Sequence, residues 1–367
     1  MPKHYIGLIS GTSMDGVDAV IASFGSDGLK ISATLVHSYP PELRSLLQAA
    51  IAQPANCGLD QLGRLDRWVG ECFRDAALAV MGSAGIRAED VDAIGSHGQT
   101  LRHRPEGKHP FSLQIGDAAT IAAGTGATTV CDFRRADIAA GGQGAPLVPP
   151  FHDWLFGAAG SPRVVLNLGG IANITVLPGD DTAIIGFDTG PGNTLMDAWI
   201  EANRGLPFDE GGAWAAGGNV IEGLLKALLA DAYFDLPAPK STGFEHFNLD
   251  WLRSFGLNDE APADVQATLS ELTAMSVAAA IDRSAAATSD IFVCGGGAHN
   301  TDLLRRLGAR LPGKTISSTA DVGLDPDWVE AAAFAWLAMR TMQRETGNLP
   351  SVTGADHKKV LGAIHYA

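Results

Sequence analysis

Three stretches of the 367-residue chain combine residue types and spacings suited to holding a charged group. The first is Gly11-Thr12-Ser13-Met14-Asp15-Gly16. Its glycines let backbone amides approach a ligand, and Thr12 and Ser13 add hydroxyl donors, so the turn can cradle phosphate without a helix. From this stretch alone, a hairpin loop rich in turn formers reads equally well. It is neither a GxGxxG nor a GxxxxGKS loop, since the lysine and the glycine spacing are missing. The second stretch is Gly295-Gly296-Gly297, between the apolar run Ile291–Cys294 and a helix that Asn300 can cap. A nucleotide can lie against backbone at such a turn. A merely tight connection is less attractive there, because three successive glycines cost backbone entropy. The third is DFRRADIAAGGQGAPLVP, Asp132 to Pro149, rich in glycine and closed by prolines. A domain crossover and an active-site segment would both look like this. Its Arg134 and Arg135 stand out in an acidic chain, although a surface position suits one of them.

The elements that must position these groups follow from periodicity. Ile6–Ile9 and Val17–Phe24 read as strands flanking the first turn, and Leu29–Ser38 as a third. Pro41–Ala52 is a short helix. Leu59, Leu62, Leu65, Val69, Cys72, Ala76 and Val80 recur at helical spacing up to Gly82, which can stop the helix. Val91–Gly95 is a strand ending in Ser96-His97-Gly98-Gln99-Thr100. Ala118–Ala123 is helical and Thr128–Asp132 is a strand. The outline then repeats: VVLNLGGIANITVL, Val164 to Leu177, is again strand, glycine turn, strand, and we read an internal duplication of architecture. Ile184–Asp188 is a strand, followed by a sharp loop over Thr189 to Asn193 and a helix from Thr194. Further helices run through Ile221–Leu229, Val265–Ala279 and Trp328–Met342. The pattern is α/β with a mixed sheet.

Composition narrows the classes of partner. Length predicts two domains, and 46% hydrophobic residues allow sizeable cores. A formal net charge of -15 argues against nucleic acid, whose phosphates need a basic face. Cys57, Cys72, Cys131 and Cys294 lie far apart without CxxC or CxxH pairs, so zinc is not expected, and they read as reduced thiols of a cytoplasmic protein. MPKHYIGLIS enters a strand directly and lacks the apolar core of a signal peptide. No apolar run reaches the roughly 18 residues of a membrane span.

Two related strand–turn–strand units and a late strand–GGG–helix resemble the actin-like ATPase (ribonuclease H-like) fold, in which two α/β domains flank an interdomain cleft. That resemblance implies ATP contacts from the first loop, Gly11, Thr12, Ser13, Met14, Asp15, Gly16, Val17 and Asp18. It implies them also from Asn167, Gly169 and Gly170 in the stretch to Asn173, and from Gly295, Gly296 and Gly297. The expected domains are 1–145 with about 346–367, and 146–345. More narrowly, GLISGTSMDGVDA, GSHGQTLRHRP, DFRRADIAAGGQGAPLVP, LNLGGIANIT, GFDTGPGN, KSTGFEHFN and EAAAFAWLA resemble the successive motifs of the anhydro-N-acetylmuramic acid kinase family, from Gly7 to Ala338. The implied reaction converts 1,6-anhydro-N-acetylmuramic acid, ATP and water to N-acetylmuramic acid 6-phosphate and ADP, in recycling of bacterial cell-wall fragments.

That chemistry assigns roles. O6 of the bridged sugar has no proton to lose, so water must attack C1 as the bridge opens and O6 attacks the γ-phosphate. A carboxylate near C1 can take the water's proton. Asp188, ending a strand before Thr189-Gly190-Pro191-Gly192, is the choice; on the motif alone, capping the turn is as good a reading. Arg134 suits the lactyl carboxylate, because a guanidinium grips a carboxylate bidentately. Gln99 and Thr100 can bind sugar hydroxyls or form a polar loop. Glu330 can bind a sugar hydroxyl or favour a helix N-terminus. His97 and His103 read as loop histidines outside the mechanism. Mg2+ is expected with ATP, but its ligands are not assigned: Ile9 stands where many sugar kinases carry Asp, Asn167 where chaperones of the fold carry Asp, and Asp15 is the nearest candidate or a turn residue. A homodimer is expected. The alternative from another class is an actin-like ATPase that assembles or clamps a partner; an NAD-dependent dehydrogenase lacks its strand–GxGxxG–helix.

Overall fold

The computed structural model describes residues 3–11, 14–25, 28–257 and 259–367, in two compact units, 1–151 with 328–367 and 152–327. In the first, β1 (His4–Ser10), β2 (Gly16–Gly25) and β3 (Gly28–Ser38) form an antiparallel meander. β4 (Val91–Arg104) lies parallel to β1, β5 (Phe111–Ile115) folds back antiparallel on its distal half, and β6 (Thr129–Cys131) is parallel to it. The C-terminal strand Ala363–His365 closes this sheet beside β6. In the second unit the order is β11 (Thr315–Ser318), β10 (Asp290–Cys294), β7 (Arg163–Leu168), β8 (Ile171–Leu177) and β9 (Ile185–Pro191). Again the first three strands form an antiparallel meander, and two later strands add in parallel, one after the other, beyond the first of them. The expected duplication is therefore a repeated sheet order, and each unit is a ribonuclease H-like α/β fold of the actin-like class.

Both faces of the first sheet are covered. Ile6, Leu8, Val17, Ala19 and Ile21 pack on Leu43 and Leu47 of helix Pro41–Ala52 and on Val69, Phe73 and Val80 of helix Leu59–Ala84. Helix Val329–Met342, apolar almost all round as a buried helix should be, lies on the opposite face. It sits there because Gly7 and Gly95 are register partners at the contact. A Cβ on Gly7 would lie 1.8 Å from the Ala331 carbonyl oxygen, and one on Gly95 2.1 Å from that of Phe334. Backbone meets backbone, which no side chain permits. Its contacts place this helix in the first unit, and not in a second domain of residues 146–345 as the chain order suggests.

The second unit's core gathers Val164, Leu166, Ile174, Phe187, Leu269, Leu272, Val277, Ile291 and Leu303 around helix Pro262–Ser284. Helix Thr301–Arg310 is tied to it through Glu271, which meets buried Arg306 at 2.9 Å and half-exposed Arg310 at 2.7 Å, while Asp302 of the same helix holds Arg306 at 2.6 Å. Removing one partner would strand a buried charge, a change that costs about 3–5 kcal/mol. All four cysteines are free thiols. Among the described residues, no helix is long and apolar enough to cross a membrane.

Three other expectations change. β4 runs on from Gly95 to Arg104, so Ser96 to Thr100 are strand, not loop. β9 continues past Asp188 to Pro191, so that aspartate is inside a strand and not at its end. The segment after Asp132 contains a helix, Phe133–Ala139.

Candidate functional site

In the first unit, Arg134 and His97 are brought together. Arg134 projects from helix Phe133–Ala139, and its Nε and Nη2 donate to His97 Nε2 at 3.1 and 2.9 Å, while Nη1 donates to the Gly144 carbonyl at 2.8 Å. His97 Nδ1 donates in turn to the Gly98 carbonyl at 2.9 Å. Both ring nitrogens are thus assigned: Nδ1 carries the proton and Nε2 is an acceptor. Burial, reinforced by the Arg134 charge, holds the imidazole's pKa well below its ordinary value, so it stays neutral. Its ring packs 4.6 Å from that of Phe334. The loop that offers the Gly144 carbonyl is fixed by buried Asp137, which accepts from the Gly144 amide at 2.8 Å, Asn348 at 2.6 Å and Thr353 at 2.8 Å.

Arg134 is therefore held by neutral acceptors. Burial lowers its pKa to about 10, far above neutrality, with Glu330 and Asp137 opposing the shift. Crowding by protein raises the Glu330 pKa and Arg134 lowers it, yet the residue keeps exposed surface, so a ligand can reach it. Gln99 is buried and already engaged: its Oε1 accepts from Ser10 at 2.7 Å, and its amide faces the Gly11 carbonyl at 3.4 Å. Thr100 accepts from Gln114 at 3.1 Å. Gln99 thus braces the start of the first loop. Arg135 stays on the surface, 3.4 Å from Asp132. His103 Nδ1 lies 3.0 Å from Ser112 Oγ, and burial brings its pKa down to about 4.

Of the first loop, Thr12 and Ser13 lie outside the described residues. Met14 has a positive φ of 51° and its amide donates to Gly11. Gly16 answers to its neighbour strand, since a Cβ there would stand 2.5 Å from the His37 carbonyl oxygen. Val17 is core, Asp18 is half-buried and Asp15 is exposed.

In the second unit, Asn167, Asn173 and Asp188 are direct partners across β7, β8 and β9 and so form one polar row on one face. A bulge between Ala172 and Asn173 sets that pairing, with Gly190 opposite Ala172 and Asp188 opposite Asn173. The Gly169 and Gly170 carbonyls accept from Asn193 and Gly192 at 2.9 Å, fastening the turn to the next helix. The Gly295–Gly297 turn lies against the same place: Cβ atoms at Gly295 and Gly297 would stand 2.4 Å from Asn167 Oδ1 and 2.5 Å from Leu168 Cβ. At Gly296 a Cβ would meet nothing within 4 Å, and at Gly169 nothing closer than 3.6 Å, so this backbone is open to a ligand. Asn300 caps the following helix through the Leu303 amide at 3.0 Å.

Asp188 is gripped by residues 233–242. Its backbone amide donates to the Lys240 carbonyl at 3.1 Å, its carbonyl accepts from Tyr233 Oη at 2.7 Å, and its Oδ2 accepts from the Thr242 amide at 3.0 Å. Oδ1 remains without a described partner. Burial pushes the carboxyl up to about 7, aided by Glu245, with the Thr242 amide and Lys240 pulling the other way. Nothing local in the sequence marks Tyr233, Lys240 and Thr242 for this task, although Lys240 and Thr242 stand in the KSTGFEHFN stretch. His97 is not a loop histidine: β4 carries it onto Arg134. Among the described residues, no group of three His, Cys, Asp or Glu is placed to hold a metal ion.

A repeated ribonuclease H-like sheet with glycine turns at its strand ends defines the actin-like class to which many sugar kinases belong. The anhydro-N-acetylmuramic acid kinase family model matches residues 3–367, and the chain belongs to that family. It is 52% identical over 367 residues to an anhydro-N-acetylmuramic acid kinase of Xanthomonas campestris pv. campestris, covering 99% of this chain and 97% of that one. Proteins of the same name from Coxiella burnetii (50% identity, 100% and 98% covered) and Shewanella loihica (51%, 99% and 99%) are as similar. A solved ROK hexokinase from Thermus thermophilus aligns at a TM-score of 0.38 with 16% identity, over 92% of this chain and 99% of that one.

Proposed function

We propose that this protein opens the 1,6-anhydro bridge of 1,6-anhydro-N-acetylmuramic acid with water and transfers the γ-phosphoryl group of ATP to O6, giving N-acetylmuramic acid 6-phosphate and ADP. The observation that carries this reading is Asp188. It is a carboxyl balanced near neutrality, with one oxygen tied to the Thr242 amide and the other without a described partner. A general base works best with a pKa near the working pH. Asp188 takes the proton from water as that water attacks C1. The C1–O6 bond breaks, and O6 leaves carbon with the electron pair that attacks phosphorus.

Arg134, held by neutral acceptors, binds the lactyl carboxylate, and Glu330 and Thr100 take sugar hydroxyls. The open backbone at Gly169 and Gly296 suits close approach of a nucleotide, with the first loop completing the phosphate contacts. Mg2+ is usually held by one or two carboxylates with phosphate and water supplying the rest. Exposed Asp15 fits that need, and the ion would neutralise phosphate charge there. A cytoplasmic location, a homodimer and a place in peptidoglycan recycling belong to the same reading.

The test is Asp188→Asn in water enriched in heavy oxygen. The wild type should place the label at C1 of the product and none on phosphate, and the variant should lose both ring opening and transfer. Label on phosphate, or near-normal turnover by the variant, overturns the reading.

A further inference from the structure

Lys240 is 9% exposed, yet its ammonium has no carboxylate oxygen within 4 Å among the described residues. It donates instead to two backbone carbonyls, Tyr233 at 3.0 Å and Phe234 at 3.4 Å, and stands 4.5 Å from the centre of the Tyr233 ring. A lysine buried on neutral acceptors is expensive and rarely serves packing alone. What it joins is informative. Tyr233 holds the Asp188 carbonyl, the Lys240 carbonyl holds the Asp188 amide, and Thr242, two residues on, holds the Asp188 carboxylate. The Lys240 side chain returns to Tyr233 and closes the segment into a ring around the aspartate. Arg283 steadies the same corner by donating to the Phe234 carbonyl at 3.1 Å.

We propose that Lys240 is a positioning residue whose ammonium closes residues 233–242 into a clamp on Asp188, while its charge acts on that carboxylate from more than 4 Å away. The proposal rests on Asp188 being the base. The charged groups around the pair are few. Asp188 feels Glu245, which favours its proton, and Lys240, which opposes it. Burial, with Arg283, lowers the Lys240 pKa, and Asp235 and Asp188 oppose the shift. Tyr233, whose phenol is pushed up by burial, stays protonated and so remains a donor. Thr242 adds a second mark of a working site: its Oγ1 is buried without a hydrogen-bond partner, next to the amide that fixes Oδ2.

The test compares Lys240→Met, Lys240→Arg, Tyr233→Phe and Asp188→Asn by steady-state kinetics from pH 5.5 to 9. Lys240→Met should lower kcat roughly tenfold at pH 7, leave both KM values within about twofold, and move the acidic limb of the kcat profile up by roughly half to one unit, because an opposite charge near a carboxylate has been removed. Lys240→Arg should bring the limb back. An unmoved limb overturns the clamp. If Lys240→Met does not fold, Tyr233→Phe decides: it keeps ring and lysine and removes one bond to Asp188. It should lower kcat at least about threefold without shifting the limb, and unchanged kcat overturns the clamp. Turnover by Asp188→Asn itself would sink the base assignment, whereas an inactive Asp188→Asn with an unmoved Lys240→Met profile sinks the clamp alone.

Discussion

The guanidinium of Arg134 donates twice to Nε2 of His97, at 2.9 and 3.1 Å, so a neutral histidine aims a cation. An arginine paired with a carboxylate has its charge already answered. One held by an imidazole and a carbonyl is oriented without being neutralised, which is the state an anion-binding arginine needs.

Arg134→Ala should therefore weaken sugar binding by roughly 1.5–3 kcal/mol, the worth of a hydrogen bond to a charged group. Titration calorimetry with 1,6-anhydro-N-acetylmuramic acid and with the anhydro-N-acetylglucosamine analogue, which lacks the lactyl group, measures it. Equal losses on both sugars would remove Arg134 from the lactyl role.

His97→Phe keeps the ring beside Phe334 and removes the acceptor. We expect KM for the sugar to rise several-fold with kcat little changed, the mark of lost uniform binding. A kcat collapse at unchanged KM would instead give His97 a part in the chemistry.

For Asp188 the pH dependence runs two ways. The base must be ionised, so kcat should rise through about pH 7 and level off above it. Stability runs the other way. Between the unfolded carboxyl's pKa near 4 and the folded value near 7, the folded state holds the extra proton, so the stability this group supplies is lost as pH rises through that window. Asp188→Asn should be inactive yet more heat-stable than the wild type at pH 8, with the gap closing toward pH 4. Thermal unfolding at the two pH values is the measurement, and a wild type as stable as the variant at pH 8 would contradict it.

Gly7→Ala adds one methyl carbon where the Ala331 carbonyl oxygen stands 1.8 Å away. The helix must move, at a cost of at least about 1–3 kcal/mol. Because Glu330 opens that helix, sugar affinity should fall along with the melting temperature. Unchanged melting would mean that the helix has slack the geometry does not show.

What the sequence revealed, and what it hid, divides by distance along the chain. Apolar runs disclosed β1, β7 and β10, and the repeated strand–turn–strand outline disclosed the duplication, because both signals are local. The extension of β4 was hidden by polar residues from Ser96 to Arg104 and by Gly98 at a φ of 74°, which looks like a turn. The alternation of Phe111, Leu113 and Ile115 was an available sign of its partner. Gly190 and Pro191 likewise made β9 end too early. Helix Val329–Met342 announced its burial but not its sheet, since Gly7 lies more than three hundred residues away. The grip of Thr242 on Asp188 spans 54 residues, and no periodicity reports such a contact.

The polar row Asn167–Asn173–Asp188 has a consequence for how this chain can vary over descent. Its members share a face only because β7, β8 and β9 keep their register. Point substitutions on the opposite face leave that alignment alone. A single-residue insertion or deletion inside β8 or inside β9 ahead of Asp188 does not, because a slip of one sends every later side chain in the strand to the other face. Length, more than residue identity, is what this stretch must inherit unchanged: a homologue could exchange many of its side chains and keep the row, while a frame-preserving loss of one codon there would turn the aspartate away from its two asparagines.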